Sequence, residues 1–326
     1  MAGGRVTRSS PPTGQRHSTG NGEGIIFSSL HSLLNLQGQV RTLYLAKKHI
    51  RARHAGLHRS VYKGRGMDFA ESRPYQPGDD IRTIDWRVTA RSGRVHTKVF
   101  EEEREKPVLL WLDLRPSMFF ATRGRFKAVI AAEMAALLLW KTLKDGDRIG
   151  GILQNSRHVE LKPSRSRSAA LHFLRQLSDM THDAVAEKEQ LAEHSRTDLQ
   201  TSWTRLRRVA QPGSQVFVLS DFRHSSPTAM RQLAMISRHS QLTLIAIHDP
   251  FEANLPQQGR LRLTDGKRGL WVNLGLQLWR KRYAVRAEQA HKNLQEFSRS
   301  HRIPLVQLST ADTSNERLLK LSRGLR

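Results

Sequence analysis

Two acidic residues stand where chemistry would be expected. Asp113 follows the apolar run Val108 to Leu112, and Asp221 follows the run Val216 to Ser220. Both runs read as buried strands of a parallel sheet, and such sheets bind ligands beyond the carboxyl ends of their strands. Short loops there would bring the two carboxylates together, where they could share a hard cation or be neutralised by Arg115. A second constellation runs from Arg73 to Gly93 and alternates Arg, Asp and aromatics: Arg73, Tyr75, Asp79, Asp80, Arg82, Asp85, Trp86 and Arg91. Other chemistry is poorly supplied. Ser117 has no nucleophile-elbow context, Gly64-Arg65-Gly66 is not a phosphate loop, and no Walker A pattern occurs. His54 and His58 form a helical pair with no nearby acid, which reads as surface rather than as a zinc site.

The elements that must position these residues follow from periodicity. Apolar strands are predicted at 107–114, 215–222, 241–249 and 304–310, with two shorter ones near 148–155 and 158–163. Helices are predicted between them, at 126–145, 166–180, 199–210, 227–240, 276–298 and 316–323. In the first of these, Phe126, Val129, Ile130, Met134, Leu137 and Leu138 share one face, and Gly146 is placed to end it. Pro227 suits the first turn of its helix. Residues 261–274 read as a hairpin with Asp265-Gly266 in the turn. Strands alternating with amphipathic helices imply an α/β fold: a Rossmann-like, mostly parallel sheet with helices on both faces.

Upstream the pattern changes. Residues 1–24 are rich in Gly, Ser, Pro and Arg and are expected to be disordered. Residues 25–59 turn helical through Leu30, Leu33, Leu34, Val40, Leu43 and Leu45. Residues 60–106 lack periodicity until Val95 to Val99, which alternates like a strand. The expected organisation is a tail over 1–24, a helix and an irregular Arg/Asp/Trp-rich segment over 25–106, and an α/β domain over 107–326 with a hairpin insertion near 260–274.

Composition sets the outer limits. The 326 residues are 38% hydrophobic, enough for a sizeable core, and contain no cysteine. No run reaches the roughly 20 apolar residues of a membrane helix, and the N-terminus lacks an apolar signal core. A cytoplasmic location is expected, free or peripheral at the inner membrane. The 54 Lys and Arg against 29 Asp and Glu give a net charge of +25. That charge is spread along the chain, which allows either a mixed basic surface or non-specific polyanion binding. The alternative function it supports is a basic nucleic-acid or anionic-surface binding protein, although no base-reading motif is present.

Two resemblances sharpen this reading. Asp113-Leu114-Arg115-Pro116-Ser117 resembles the D-x-S-x-S motif of von Willebrand factor A domains, part of a metal-ion-dependent adhesion site. The resemblance implies a hard cation such as Mg²⁺ held by Asp113, Ser117, a Thr at Thr197 and a second Asp at Asp221. Arg115 departs from the motif, because a guanidinium cannot ligate a cation and repels one. Either Arg115 serves as the internal cation of a satisfied network, or a metal binds with Arg115 turned away.

The segment from Arg73 to Arg91 resembles the bacterial domain-of-unknown-function family 58 (DUF58), which reads roughly R-x-Y-x-x-G-D-x-x-R-x-I-D-W-x-x-x-A-R. The likeness continues through Glu101 to Met118 and through His248 to Gly269, spanning about residues 58–275. It implies a von Willebrand A-like fold and pairing with MoxR-type AAA+ ATPases. Many relatives carry N-terminal membrane helices, and this chain looks like a short version without them. The expected role is a non-catalytic protein–protein adaptor or scaffold, not an enzyme, with a degenerate metal site. In the Arg73 to Arg91 segment, Arg73, Arg82 and Arg91 could pair with Asp79, Asp80 and Asp85 in a buried clamp, or the segment could be an exposed docking surface. Trp86 beside Asp85 points to a buried setting and hence to the clamp.

Overall fold

The computed structural model describes residues 22–43, 67–102, 107–122, 124–186, 199–253, 260–264, 269–273 and 277–325. The expected disordered tail, His54, His58, Gly64 to Gly66 and Thr197 lie outside these, as do the side chains of Phe69, Trp279 and Tyr283.

The first described helix, α1 (Leu30–Asn35), starts at Ser29, whose hydroxyl accepts from the backbone N–H of Ser32. A 3-10 turn over Leu36–Thr42 follows instead of a longer α-helix, and Gly38 inside it disfavours helix continuation. Leu33, Val40 and Leu43 are buried as the periodicity required. Next comes a hairpin in which β1 (Met67–Pro74), which periodicity did not reveal, pairs antiparallel with β2 (His96–Glu102), which the alternation from Val95 to Val99 anticipated. Its first strand mixes Asp, Glu, Ser and Arg and carries a register shift between Phe69 and Glu71, so no clean alternation survives. Between the two strands sits the short helix α2 (Trp86–Ser92), ended by Gly93 in the left-handed conformation at φ 68°.

The remainder builds one six-stranded sheet from β3 (Pro107–Asp113), β4 (Arg148–Gln154), β5 (His158–Ser164), β6 (Gln215–Ser220), β7 (Gln241–His248) and β10 (Leu305–Ser309), in the order β10-β7-β6-β3-β4-β5. All neighbours are parallel except β5, which runs antiparallel to β4 at one edge. Strands β8 (Arg260–Thr264) and β9 (Gly269–Asn273) form the separate antiparallel hairpin expected from the sequence. The helices are α3 (Lys127–Lys144), α4 (Arg167–Ala186), α5 (Leu199–Val209), α6 (Pro227–Ser237), the short α7 (Pro250–Ala253), α8 (Gln277–His301) and α9 (Ser314–Gly324).

Alternation along β3 divides the core. Val108, Leu110 and Leu112 join a cluster with α1, α3, α4 and α9. Leu109 and Trp111 face the other side, where α5, α6 and Leu294 of α8 cover them. This is the Rossmann-like, mostly parallel α/β fold. Helix α3 departs from the amphipathic expectation: 14 of its 18 residues are buried, because the sheet lies on one side and α1 and α4 on the other. Close approach of β3 and β4 requires Gly151, where a Cβ would lie 2.0 Å from the Leu110 carbonyl oxygen.

Candidate functional site

The central strands end together. Register pairs Leu112 with Leu219, so Asp113 and Ser220 lie side by side and Asp221 is the next residue out. The backbone then turns sharply: Phe222 and His224 hold φ of 52° and 60°, left-handed values that non-glycine residues adopt only where surrounding structure holds them. The Ser220 hydroxyl accepts from the N–H of Phe222 at 2.9 Å and donates to Asp113 Oδ2 at 2.6 Å.

Asp113 is fully buried and carries its own cation. Arg115 donates from Nε to Asp113 Oδ1 at 2.9 Å and from Nη2 to Oδ2 at 2.7 Å, while its backbone N–H reaches Oδ1 at 3.1 Å. This is a bidentate fork across two residues, set by the extended backbone at Arg115 (φ −70°, ψ 162°). Burial alone would lower the Arg115 pKa; the Asp113 carboxylate outweighs it, and the net shift is upward.

Asp221 has a different cation. Lys127, the first residue of α3, is completely buried and donates from Nζ to Asp221 Oδ2 at 2.8 Å and to Glu252 Oε1 at 2.7 Å. Burial pushes the Asp221 carboxyl up, but Lys127 foremost, then the N–H of Arg223 and the charge of Arg115, hold it below the ordinary value. Arg223 Nη1 closes the group by donating to the same Glu252 oxygen at 2.9 Å. One strand further along, Asp249 follows β7. It accepts from the Thr122 hydroxyl at 2.7 Å and the Thr310 hydroxyl at 2.6 Å, and from the N–H groups of Thr122 and Phe251, each at 2.9 Å. Burial raises the Asp249 carboxyl, and these hydrogen bonds bring it below its ordinary value.

Asp113 and Asp221 therefore converge as the strand rule required. Ser117 sits two residues beyond Arg115, half-buried on a 3-10 turn over Pro116–Met118, and takes no part in either ion pair. Lys127, Asp249 and Glu252 were missed. Asp249 was legible by the rule that found the other two acids, since it too follows an apolar strand. Lys127 left a subtler signal: a cation in the first turn of an otherwise apolar helix opposes the macrodipole and needs acidic partners to sit there.

Among the described residues the donor set does not suit a divalent ion. A guanidinium and an ammonium hold the positions beside the carboxylates, and neither can ligate a cation. Among the described residues, no three His, Asp or Glu gather into a group that could hold a metal ion.

The Arg73 to Arg91 segment corrects the expected clamp. Only its first pair forms as anticipated: Arg73 Nη2 meets Asp79 Oδ1 at 2.6 Å, and the Tyr75 hydroxyl donates to the Asp79 carbonyl at 3.1 Å. Asp80 instead accepts from the N–H of Arg82 at 2.9 Å, starting a 3-10 turn. Asp85 is buried without an arginine; it accepts from the Ser72 hydroxyl at 2.9 Å and caps α2 through the N–H of Val88 at 3.2 Å. Burial raises the Asp85 carboxyl, and these bonds together with Lys98 bring it below the usual value. Trp86 is 67% exposed. Among the described residues Arg82 and Arg91 make no ion pair, and both are exposed. Short-range capping wins because an Asp can bond N–H groups two or three residues ahead without closing a long loop.

Comparison with known proteins agrees with the resemblance to DUF58. A family model described as "Protein of unknown function DUF58" matches residues 71–293. The chain is 28% identical over 277 residues to "Uncharacterized protein Rv1480" of Mycobacterium tuberculosis, covering 84% of this chain and 85% of the relative. "Uncharacterized protein Mb1516" of Mycobacterium bovis matches equally. "Uncharacterized protein YeaD" of Bacillus subtilis is 35% identical over 81 residues, 25% of this chain and 18% of that protein. Among solved structures, the conserved hypothetical protein BatB from Bacteroides thetaiotaomicron aligns with a TM-score of 0.43 and 16% identity, covering 68% of this chain and 97% of that one.

Proposed function

This chain belongs to the family described as protein of unknown function DUF58, and from that premise we propose that it is a non-catalytic protein–protein adaptor. Its frame is a von Willebrand A-like domain in which the chain's own cations stand where relatives of that architecture hold a metal. The observation that carries the reading is the double neutralisation at the strand ends, with Arg115 on Asp113 and Lys127 on Asp221. A carboxylate held by a buried cation is a poor general base, and one already saturated with donors is a poor metal ligand. What remains at the sheet end is a fixed set of loops suited to presenting a surface. No helix among the described residues is long and apolar enough to cross a membrane. The partner proposed from the family resemblance is a MoxR-type AAA+ ATPase.

The test mixes the purified chain with the MoxR-type ATPase of the same cell, with and without ATP, and follows complex formation by size-exclusion chromatography. A nucleotide-sensitive complex is the expected result. Absence of a complex in either nucleotide state would overturn the ATPase partnership. A Mg²⁺-dependent hydrolytic activity abolished by Asp221→Asn would overturn the non-catalytic role.

A further inference from the structure

Helix α2 turns Asp85, Val88 and Thr89 inward and leaves Trp86, Arg87, Ala90 and Arg91 outward. Those four occupy positions i, i+1, i+4 and i+5, which is one face of a helix. Ile81 is 67% exposed on the turn before it and Val95 is 44% exposed after it. Among the described residues, three of the eight large exposed hydrophobics, Ile81, Trp86 and Val95, therefore fall within this short stretch. The local acids are committed elsewhere: Asp79 to Arg73, Asp80 and Asp85 to turning and capping the backbone. The guanidiniums of Arg87, Arg91 and Arg94 are left facing solvent, with no ion pair to any described residue.

We infer that the α2 face, centred on Trp86 and flanked by Arg87 and Arg91, docks an acidic, apolar-centred surface of a partner protein. An aromatic anchor ringed by arginines is the composition of interface hot spots. Desolvating unpaired guanidiniums is favourable only against anionic oxygens that accept from them, which fixes the charge of the occupant and, on a protein surface, makes its acceptors carboxylates. A second copy of this chain fits poorly, because its net charge is +25. Single-stranded nucleic acid fits less well than protein. It needs successive stacking rings, and Trp86 is the one aromatic among the large exposed hydrophobics of the described residues. The inference rests on the adaptor reading only in taking a protein as the occupant, and it places the contact on α2 rather than on the Asp113 loops.

The test uses the full chain in its own cell, with a photoreactive phenylalanine derivative replacing Ala90 and adducts mapped by mass spectrometry. The expected adduct lies on a carboxylate-rich segment of another protein. It falls by at least about tenfold in the Arg87→Glu/Arg91→Glu double variant, with the melting temperature unchanged. Adducts on RNA, on lipid or on a second copy, adducts indifferent to charge reversal, or none at all would overturn it. The two readings fail separately. If the acidic segment belongs to a protein other than the ATPase, the surface stands and the proposed partner falls. If the ATPase binds and charge reversal leaves the adduct unchanged, the partner stands and the surface falls.

Discussion

The sheet end and the α2 module use the same residue types to opposite ends. At the sheet end two acids meet a cation from elsewhere in the fold or from a tight local fork, Lys127 reaching Asp221 across 94 positions of sequence and Arg115 folding back on Asp113, while Asp249 is held by hydroxyl and N–H donors. The charges are buried and closed. In the module, Asp80 and Asp85 bond backbone N–H groups a few residues ahead, and the nearby arginines face outward. Inside the fold a charge without a partner is too costly to keep, so Asp113 and Asp221 acquire cations. In the module the acids are satisfied by short-range donors as they order turns, Asp85 even while buried, and the arginines left over become available to something else.

The largest effect that could break this contrast is expected at Lys127. Lys127→Met leaves Asp221 and Glu252 buried without their shared cation and should cost about 3–5 kcal/mol, read by urea denaturation. A cost under about 1 kcal/mol, the range of exposed pairs, would mean the sheet end is no more closed than the module.

Acid titration sharpens the same point. A carboxyl whose folded pKa lies below its unfolded value contributes stability that is fully present above about pH 3.9 and is lost as the pH falls through the folded value. Asp221 and Asp249 are both lowered, so the native protein should weaken on the acid side. In Lys127→Met the burial of Asp221 is no longer outweighed, its pKa rises, and protonation relieves the cost. The stability gap between native and variant should therefore narrow as the pH is lowered. A gap that widens would contradict the assignment of Lys127 as the partner of Asp221.

A smaller loss is expected in the module. Asp85→Ala removes the α2 cap and the bond from Ser72, and the melting temperature should fall by only a few degrees, less than for Lys127→Met. A loss as large as that at Lys127 would restore the buried clamp. The smallest effect is expected at Trp86. Because the ring is exposed, Trp86→Ala should change stability by under about 0.5 kcal/mol while weakening partner binding. A marked loss of stability would show the ring to be covered in solution.

Much of this was legible in the chain. The apolar runs ending at Asp113 and Asp221 gave strands β3 and β6 within a residue or two, because central parallel strands are buried on both faces and need no alternation. The convergence of their acids followed from the strand rule. Lys127 was hidden because its partners, Asp221 just after β6 and Glu252 on α7, are far away in sequence, and no local pattern announces a contact that only tertiary folding creates. The exposure of Trp86 was misread for the converse reason. An aromatic beside an acid suggests burial, but helical phase, set by Val88 and Thr89 turning inward, put the ring on the outer face. Strand β1 was obscured by its polar residues and register shift.

Arg115 and Lys127 are proposed to fill the place of a cation between the strand-end acids. Calorimetric titration of Mg²⁺ and Mn²⁺ into the native protein and into Arg115→Ser tests this. No saturable binding to the native protein is expected, and a gain of affinity in Arg115→Ser, whose Asp113 is freed. Tight binding to the native protein, unchanged by the substitution, would contradict it.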